Sequence, residues 1–106
     1  KAIQSTCDYI ESHLDQNLAV ASLANRVGYS EYYLSRLFKK ETGFSIDEYA
    51  RNAKMERAKL LLTSTQDSIQ DISDALGFGN RNYFSTTFRK TTGVPPASYR
   101  RKYQKL

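Results

Sequence analysis

The amino-acid sequence predicts an all-α fold of about seven helices, arranged as two helix-turn-helix subdomains joined by a long central helix. Three observations support this prediction. Apolar residues recur at helical spacing, no segment alternates as a strand would, and a segment of roughly thirty residues occurs twice. Residues 28–43 read GYSEYYLSRLFKKETG, and residues 77–93 read GFGNRNYFSTTFRKTTG. Because a solenoid needs at least about three repeats, two copies indicate a duplicated module.

The chain begins with a predicted helix at residues 2–16. Its apolar stripe, at helical spacing, consists of Ile3, Cys7, Ile10 and Leu14. We expect this stripe to pack beneath the first copy of the repeated segment. The imidazole of His13, by contrast, is expected on the surface.

Each copy of the repeat begins with a short helix. The two apolar faces are Val20, Leu23, Ala24 and Val27 in the first copy, and Ile69, Ile72, Ser73 and Leu76 in the second. Gly28 and Gly77 follow directly, where a left-handed residue can end a helix. Ala24 and Ser73 are small, which suits two helices that cross closely.

Each copy continues with a second helix, which is predicted to begin after Ser30 or Asn80 and to end at Gly43 or Gly93. Its buried residues are expected to be Leu34, Leu37 and Phe38 in the first copy and Phe84, Thr87 and Phe88 in the second. Two helices joined by a glycine-containing turn form a helix-turn-helix. A plain helical hairpin is the alternative for one copy alone, but the matching caps, glycines and small residues favour the helix-turn-helix.

Two more helices complete the predicted fold. The central helix spans residues 45–65, and its core residues are expected to be Ile46, Tyr49, Ala53, Ala58, Leu61 and Leu62. The last helix begins at Pro95 and Pro96, which suit a first helical turn, and carries a basic run. We therefore expect a first subdomain at residues 1–44, the linker helix, and a second subdomain at residues 66–106.

Composition and charge restrict the classes of protein to which the chain can belong. With 40% hydrophobic and 25% charged residues, the 106-residue chain is typical of a globular protein. No apolar run approaches the roughly 20 residues of a membrane span, and a single cysteine permits no internal disulfide and favours a reducing compartment. Residues 1–53 carry 6 basic and 7 acidic side chains, whereas residues 54–106 carry 10 and 4. This basic half favours a polyanionic partner such as nucleic acid.

The residues give no sign of catalysis, a cofactor or a metal site. Cys7 and His13 are six positions apart, which does not place them on one helix face, and no second Cys or His completes a set of metal ligands. Asp71 and Asp74 lie near a helix start, where carboxylates act in capping and solvation. We therefore expect no enzymatic activity, no cofactor and no bound metal.

The segment GFGNRNYFSTTFRKTTGVPPASYR, residues 77–100, resembles the signature of the DNA-binding domain of AraC/XylS-type transcription regulators. The shared features are Gly-Phe, an aromatic pair, Phe-basic-Lys, and a final pattern that here is Gly93, Pro96, Tyr99 and Arg100. AKLLLTST and LSRLFKKETG elsewhere are also similar to the family, and the likeness extends along essentially the whole chain. Three residues depart from the expected pattern. Ala19 lacks the capping side chain that Ser68 supplies in the second copy, and Lys54 stands in the central helix where the family usually has arginine. Thr86 stands at the place of Arg36, so the second reading helix lacks an arginine there.

The resemblance implies a bacterial, cytoplasmic transcription regulator that binds double-stranded DNA. In a helix-turn-helix the N-terminal part of the second helix meets base edges in the major groove. The outward positions expected to read bases are Tyr32, Ser35, Arg36, Arg81, Asn82, Ser85 and Thr86. Arg36 and Arg81 suit guanine, and Asn82 suits adenine. Tyr32 suits a thymine methyl or a phosphate, whereas the three hydroxyl residues suit looser or water-mediated contacts.

Other outward positions suit the phosphate backbone, which sets register and makes binding salt-dependent. They are Lys39, Lys40, Arg89, Lys90, Arg100, Arg101 and Lys102. Glu31 is ambiguous among them, because it suits either a cytosine amino group or the positive end of the helix dipole. Tyr33 and Tyr83 are expected to cover the edges of the two modules.

The length of the central helix explains the duplication. A helix at residues 45–65 is about 30 Å long, close to the ~34 Å of one DNA turn. We expect the two reading helices to enter successive major grooves, so that one chain does the work of a helix-turn-helix dimer. The resemblance further implies contact with RNA polymerase, and an effector or dimerisation domain before residue 1, which is Lys rather than Met.

Two other binding classes remain open from the residues alone. Eight tyrosines favour a helical protein-interaction module, since tyrosine is enriched at interfaces. RNA binding is the third class, but it requires exposed aromatics that stack on unpaired bases. Most aromatics of this chain fall on predicted core positions, which counts against RNA.

Overall fold

The computed structural model describes residues 1–105, which form seven α-helices and no strand. The helices are α1 (Ala2–Glu11), α2 (Val20–Val27), α3 (Glu31–Thr42), α4 (Ile46–Ser64), α5 (Ile69–Ala75), α6 (Arg81–Thr92) and α7 (Pro96–Tyr103). The predicted all-α fold is confirmed. Over the described range, no helix combines the length and the apolar character that crossing a bilayer requires.

The chain divides into two compact units, Lys1–Arg51 and Asn52–Leu106. Helix α4 begins in the first unit and ends in the second. It is therefore shared between the units, whereas the sequence suggests a linker at residues 45–65 that belongs to neither. The three-part division of the chain stays a prediction.

The apolar stripe of the first segment is buried as predicted. Each of its four residues, Ile3, Cys7, Ile10 and Leu14, is at most 8% exposed. The helix itself ends at Glu11 rather than at residue 16. Ser12 is the cap residue at this end, where both its N–H and its hydroxyl donate to the Asp8 carbonyl at 3.0 Å.

His13, which is predicted to be a surface residue, is only partly exposed. Its ring is half-buried and stacks on Tyr9 with 3.9 Å between ring centroids. The guanidinium of Arg26 lies 3.8 Å from the centroid of the same tyrosine ring. Because Arg26 belongs to α2 and Tyr9 to α1, this aromatic cluster joins the two helices.

Helices α2 and α3 form the first helix-turn-helix. Gly28 ends α2 with φ of 75°, a left-handed conformation that favours glycine. Ser30 then caps α3, because its hydroxyl accepts from the Tyr33 N–H at 3.1 Å. Ala19 makes no side-chain cap at the start of α2, in agreement with its residue type. The core of the motif, at most 2% exposed, comprises Leu23, Ala24, Leu34 and Phe38.

Helix α4 begins with a capping box. The Ser45 N–H donates to Glu48 Oε1 at 2.9 Å, and the Glu48 N–H donates to Ser45 Oγ at 3.1 Å. The bond from the Ser45 backbone holds the pKa of the Glu48 carboxyl below its usual range. One residue later, the Tyr49 hydroxyl donates to the Glu11 carboxylate, which raises the pKa of Tyr49. The Tyr49 ring packs edge-on against Phe38, 5.4 Å between centroids, so the start of α4 belongs to the first core.

The second unit repeats the motif with α5 and α6. Ser68 and Asn80 accept the capping hydrogen bonds, each at 3.0 Å, and Gly93 ends α6 with φ of 90°. The buried residues of the motif are Ile72, Ser73, Leu76, Phe84, Thr87 and Phe88. Phe88 packs edge-on against Tyr99, 5.5 Å between centroids, and this contact joins α6 to α7.

Two residues of α4 are buried although the apolar pattern does not predict them. Met55 is fully buried, and Lys54 is 8% exposed. The Lys54 ammonium lies 5.4 Å from the ring centroid of Phe78, in the turn of the second motif. The lysine thus packs its aliphatic stem and places its charge near an aromatic face.

Candidate nucleic-acid interface

Helix α3 has one buried face and one polar face. Leu34 and Phe38 are fully buried, which turns the opposite side of the helix toward solvent. The predicted contact residues of this helix are all exposed, and they are Glu31, Tyr32, Ser35, Arg36, Lys39 and Lys40. The structure therefore brings the predicted site residues of the first copy onto one accessible surface.

An open groove of about 600 Å³ lies along this surface, within the first unit. Its lining residues are Val20, Tyr32, Ser35, Arg36, Lys39, Lys40, Ser45, Ile46 and Asp47. Three of these side chains are cationic, and Asp47 is the single acidic one. A positive groove beside a recognition helix suits contact with a phosphate backbone next to the bases.

The side chains of Tyr32 and Arg36 interact directly. Arg36 NH1 donates to the Tyr32 hydroxyl at 3.0 Å, and the guanidinium carbon lies 5.5 Å from the centroid of the tyrosine ring. The two residues are four positions apart on α3, which places them on the same face one turn apart. Sequence reasoning assigned each residue a separate role and missed this link, although the spacing alone permits it.

Helix α6 presents a comparable polar face in the second unit. Its exposed residues include Arg81, Asn82, Thr86, Arg89 and Lys90. Ser85 is half-buried, which limits its reach toward a partner. Arg81 and Asn82 are the first two residues after the Asn80 cap, so they project from the N-terminal turn of the helix.

The cations of these two faces form no salt bridge within the described residues, although Lys39 interacts electrostatically with Glu48. Over residues 1–105, an ion pair joins Lys59 and Glu56 at 2.9 Å, and none involves a candidate DNA-contacting residue. Cationic side chains that are exposed and outside salt bridges are available to a polyanion.

Arg100 has a different position from its neighbours in the basic run. Its Nε donates to the Leu62 carbonyl at 3.0 Å, and its NH2 donates to the Thr65 carbonyl at 3.2 Å. The half-buried guanidinium thus satisfies carbonyls at the C-terminal end of α4. We therefore assign Arg100 a structural role in place of the phosphate contact. Arg101 and Lys102, by contrast, are exposed.

Tyr33 and Tyr83 lie at the edges of their motifs, in line with their predicted role. They are 53% and 59% exposed. Tyr33 packs edge-on against Tyr29 at 4.9 Å between centroids, and Tyr83 packs against Phe78 at 5.5 Å. Each ring covers an aromatic residue of the turn between the two helices.

Known proteins share both the sequence pattern and the fold. The pattern of the helix-turn-helix domain family matches residues 23–102. The multiple antibiotic resistance protein MarA of Escherichia coli K12 is 36% identical over 98 residues, which cover 92% of this chain and 77% of MarA. The arabinose operon regulatory protein of the same organism is 36% identical over 99 residues, covering 92% of this chain and 34% of that protein.

A solved structure shows the same similarity. The C-terminal domain of AraT, a response regulator from Geobacillus stearothermophilus, superposes with a TM-score of 0.94 at 36% identity, covering 99% of this chain and 88% of that one. Two of these three proteins are regulators by name. The comparisons give no support to a helical protein-interaction module.

Proposed function

Because the chain belongs to the AraC family of helix-turn-helix transcription regulators, we propose that α3 and α6 are its DNA-reading helices. The observation that carries this proposal is the pair of exposed polar faces, each opposite a buried aromatic side chain and each bearing cations that form no salt bridge among the described residues. A helix of this kind fits the major groove of B-form DNA. The protein thus regulates transcription by binding specific double-stranded sites.

Base readout is assigned to the N-terminal halves of the two helices. Arg36 and Arg81 pair with guanine O6 and N7, and Asn82 pairs with adenine. The short side chains make looser or water-mediated contacts, and they are Ser35, Ser85 and Thr86. Tyr32 lies against the base edges beside Arg36. Glu31, at the first position of α3, complements the positive end of the helix dipole.

Phosphate contacts are assigned to five of the exposed cations farther along the chain. These residues are Lys39, Lys40, Arg89, Lys90 and Arg101. They lie in the C-terminal halves of α3 and α6 and in α7. Such contacts fix the register of the protein on the duplex and carry no sequence information.

The two reading helices enter successive major grooves in this proposal. Helix α4 has 19 residues, which corresponds to about 28 Å at 1.5 Å per residue. That length is comparable to the ~34 Å of one DNA turn. The target site then consists of two half-sites that need not be palindromic, because the two motifs differ in sequence.

The proposal also includes partners of the whole protein, which are RNA polymerase and a further domain of the same chain. Activation by a regulator of this kind involves RNA polymerase. The chain covers 34% of the arabinose operon regulatory protein, which leaves room in a protein of that length for an effector or dimerisation domain before residue 1. We place the protein in the bacterial cytoplasm, on the nucleoid when it is bound to DNA.

Replacing Arg36 with alanine tests base readout. We expect Arg36→Ala to weaken binding to a duplex selected by the wild-type chain by about 1–3 kcal/mol, and to relax the preference at one base position. Fluorescence anisotropy on the selected duplex and on a scrambled duplex measures both effects. The matched control is Lys90→Ala, which removes a phosphate contact and should weaken both duplexes alike. Equal weakening of both duplexes by Arg36→Ala contradicts base readout by this residue.

A further inference from the structure

The link between Tyr32 and Arg36 bears on how the first motif reads DNA. Tyr32 is 70% exposed, yet its hydroxyl accepts a hydrogen bond from Arg36 NH1 at 3.0 Å. The guanidinium also lies over the face of the same ring, at 5.5 Å from its centroid. Two contacts to one side chain restrict the rotamers of a long, exposed arginine that solvent otherwise leaves free.

The hydrogen bond leaves the remainder of the guanidinium available. Within residues 1–105, Arg36 makes no other hydrogen bond, so Nε and NH2 keep their donors. Guanine is recognised by two parallel N–H donors directed at O6 and N7. The Nε–NH2 edge supplies such a pair while NH1 stays on the tyrosine. The observed bond therefore does not compete with readout.

The second motif has no counterpart to this pair. At the repeat offset of 50 residues, Asn82 and Thr86 occupy the places of Tyr32 and Arg36. Thr86 carries no guanidinium, and Arg81 lies five positions earlier, at the first position of α6. Arg81 makes no hydrogen bond within the described residues, so it enters a complex without a comparable restraint.

We infer that Tyr32 is a positioning residue for Arg36: its hydroxyl and ring hold the guanidinium ready for a guanine, and this makes α3 the more stringent of the two reading helices. The inference rests on the proposed function and adds a specificity determinant to it. Its physical basis is preorganisation, because an arginine ordered before binding loses less conformational entropy in the complex. The half-site of the first motif then shows one strongly preferred base pair, whereas that of the second shows graded preferences.

A double-mutant cycle tests the inference. The probes are a duplex selected by the wild-type chain from a random library, and the same duplex with the Arg36-dependent base pair exchanged. We expect Tyr32→Phe to weaken binding to the selected duplex by about 2- to 10-fold and to leave the exchanged duplex unchanged. In the Arg36→Ala background, Tyr32→Phe should have no further effect. The matched control is Tyr33→Phe, the same chemical change at a neighbouring exposed tyrosine, and it should leave both duplexes unchanged.

Three results overturn the inference. If Tyr32→Phe weakens binding to both duplexes equally, the Tyr32 hydroxyl contacts a phosphate. If Tyr32→Phe weakens binding equally in the wild-type and Arg36→Ala backgrounds, the two residues act independently. Unchanged binding by Tyr32→Phe shows that the hydroxyl does not position the arginine. Failure of the proposed function has a separate outcome, since the wild-type chain then selects no preferred duplex.

Discussion

Replacing Phe88 with alanine is expected to lower the free energy of unfolding by about 3–5 kcal/mol, the range for removing a buried phenylalanine. Phe88 is fully buried, and it contacts Phe84 and Tyr99 at 5.9 and 5.5 Å between ring centroids. The side chain therefore joins α6 to α7, and its removal leaves a cavity where the two helices meet. Urea unfolding followed by circular dichroism measures the change.

The matched control for this substitution is Tyr83→Ala on the same helix. Tyr83 is 59% exposed, so its truncation removes little buried surface and should cost much less than Phe88→Ala. A Phe88→Ala chain that unfolds at the wild-type urea concentration contradicts the described core of the second unit. A large loss for both variants contradicts the distinction between the buried and exposed faces of α6.

Raising the salt concentration from 50 to 200 mM is expected to weaken DNA binding by roughly 500-fold. The logarithm of the affinity falls with the logarithm of salt at about −0.9 per neutralised phosphate, and five proposed contacts give a slope of about −4.5. The five residues are Lys39, Lys40, Arg89, Lys90 and Arg101. A salt titration of binding to one duplex, followed by fluorescence anisotropy, measures the slope.

Single substitutions assign the salt slope to particular residues. Lys90→Ala should reduce its magnitude by about 0.9, because one phosphate contact is lost. Lys59→Ala serves as the control, since Lys59 is paired with Glu56 at 2.9 Å and lies outside the proposed phosphate set. A slope near zero, or one that Lys59→Ala changes as much as Lys90→Ala, contradicts the proposed phosphate contacts.

Features set by local chemistry were predictable from the sequence. Ser30 and Asn80 cap their helices and Gly93 ends α6, because each preference is a property of the residue itself and of its immediate backbone. The repeat then doubled the evidence for each element. The polar faces of α3 and α6 were predictable for the same reason, since positions outside the apolar period face solvent.

Features set by distant parts of the chain were not predictable. Arg100 belongs to a basic run that suggests a phosphate site, and nothing in its neighbourhood indicates the carbonyls of Leu62 and Thr65, which are 38 and 35 residues away in sequence. The burial of Lys54 is likewise not indicated by the sequence, because it depends on the ring of Phe78, which lies 24 residues away in sequence. Burial of this kind depends on tertiary contacts, which a helical period does not encode.

Ser73 shows where the two copies of the motif diverge in packing. It occupies the place of Ala24 in the first copy, and both residues are at most 2% exposed. The Ser73 hydroxyl has no hydrogen-bonding partner among the described protein atoms. The small volume at this position was predictable from the close approach of two helices, but the unpaired oxygen was not.

The most direct measurement is a selection of binding sites from random duplex DNA, because it shows whether each motif reads its own half-site. The selection is done with the wild-type chain and repeated with Arg36→Ala and with Arg81→Ala. We expect two blocks of base preference whose centres lie one turn, about 10–10.5 base pairs, apart. Arg36→Ala should relax the preference at one base pair of one block, and Arg81→Ala should relax the preference at one base pair of the other. A single continuous block, or loss of both blocks with either substitution, contradicts two independent reading helices in one chain.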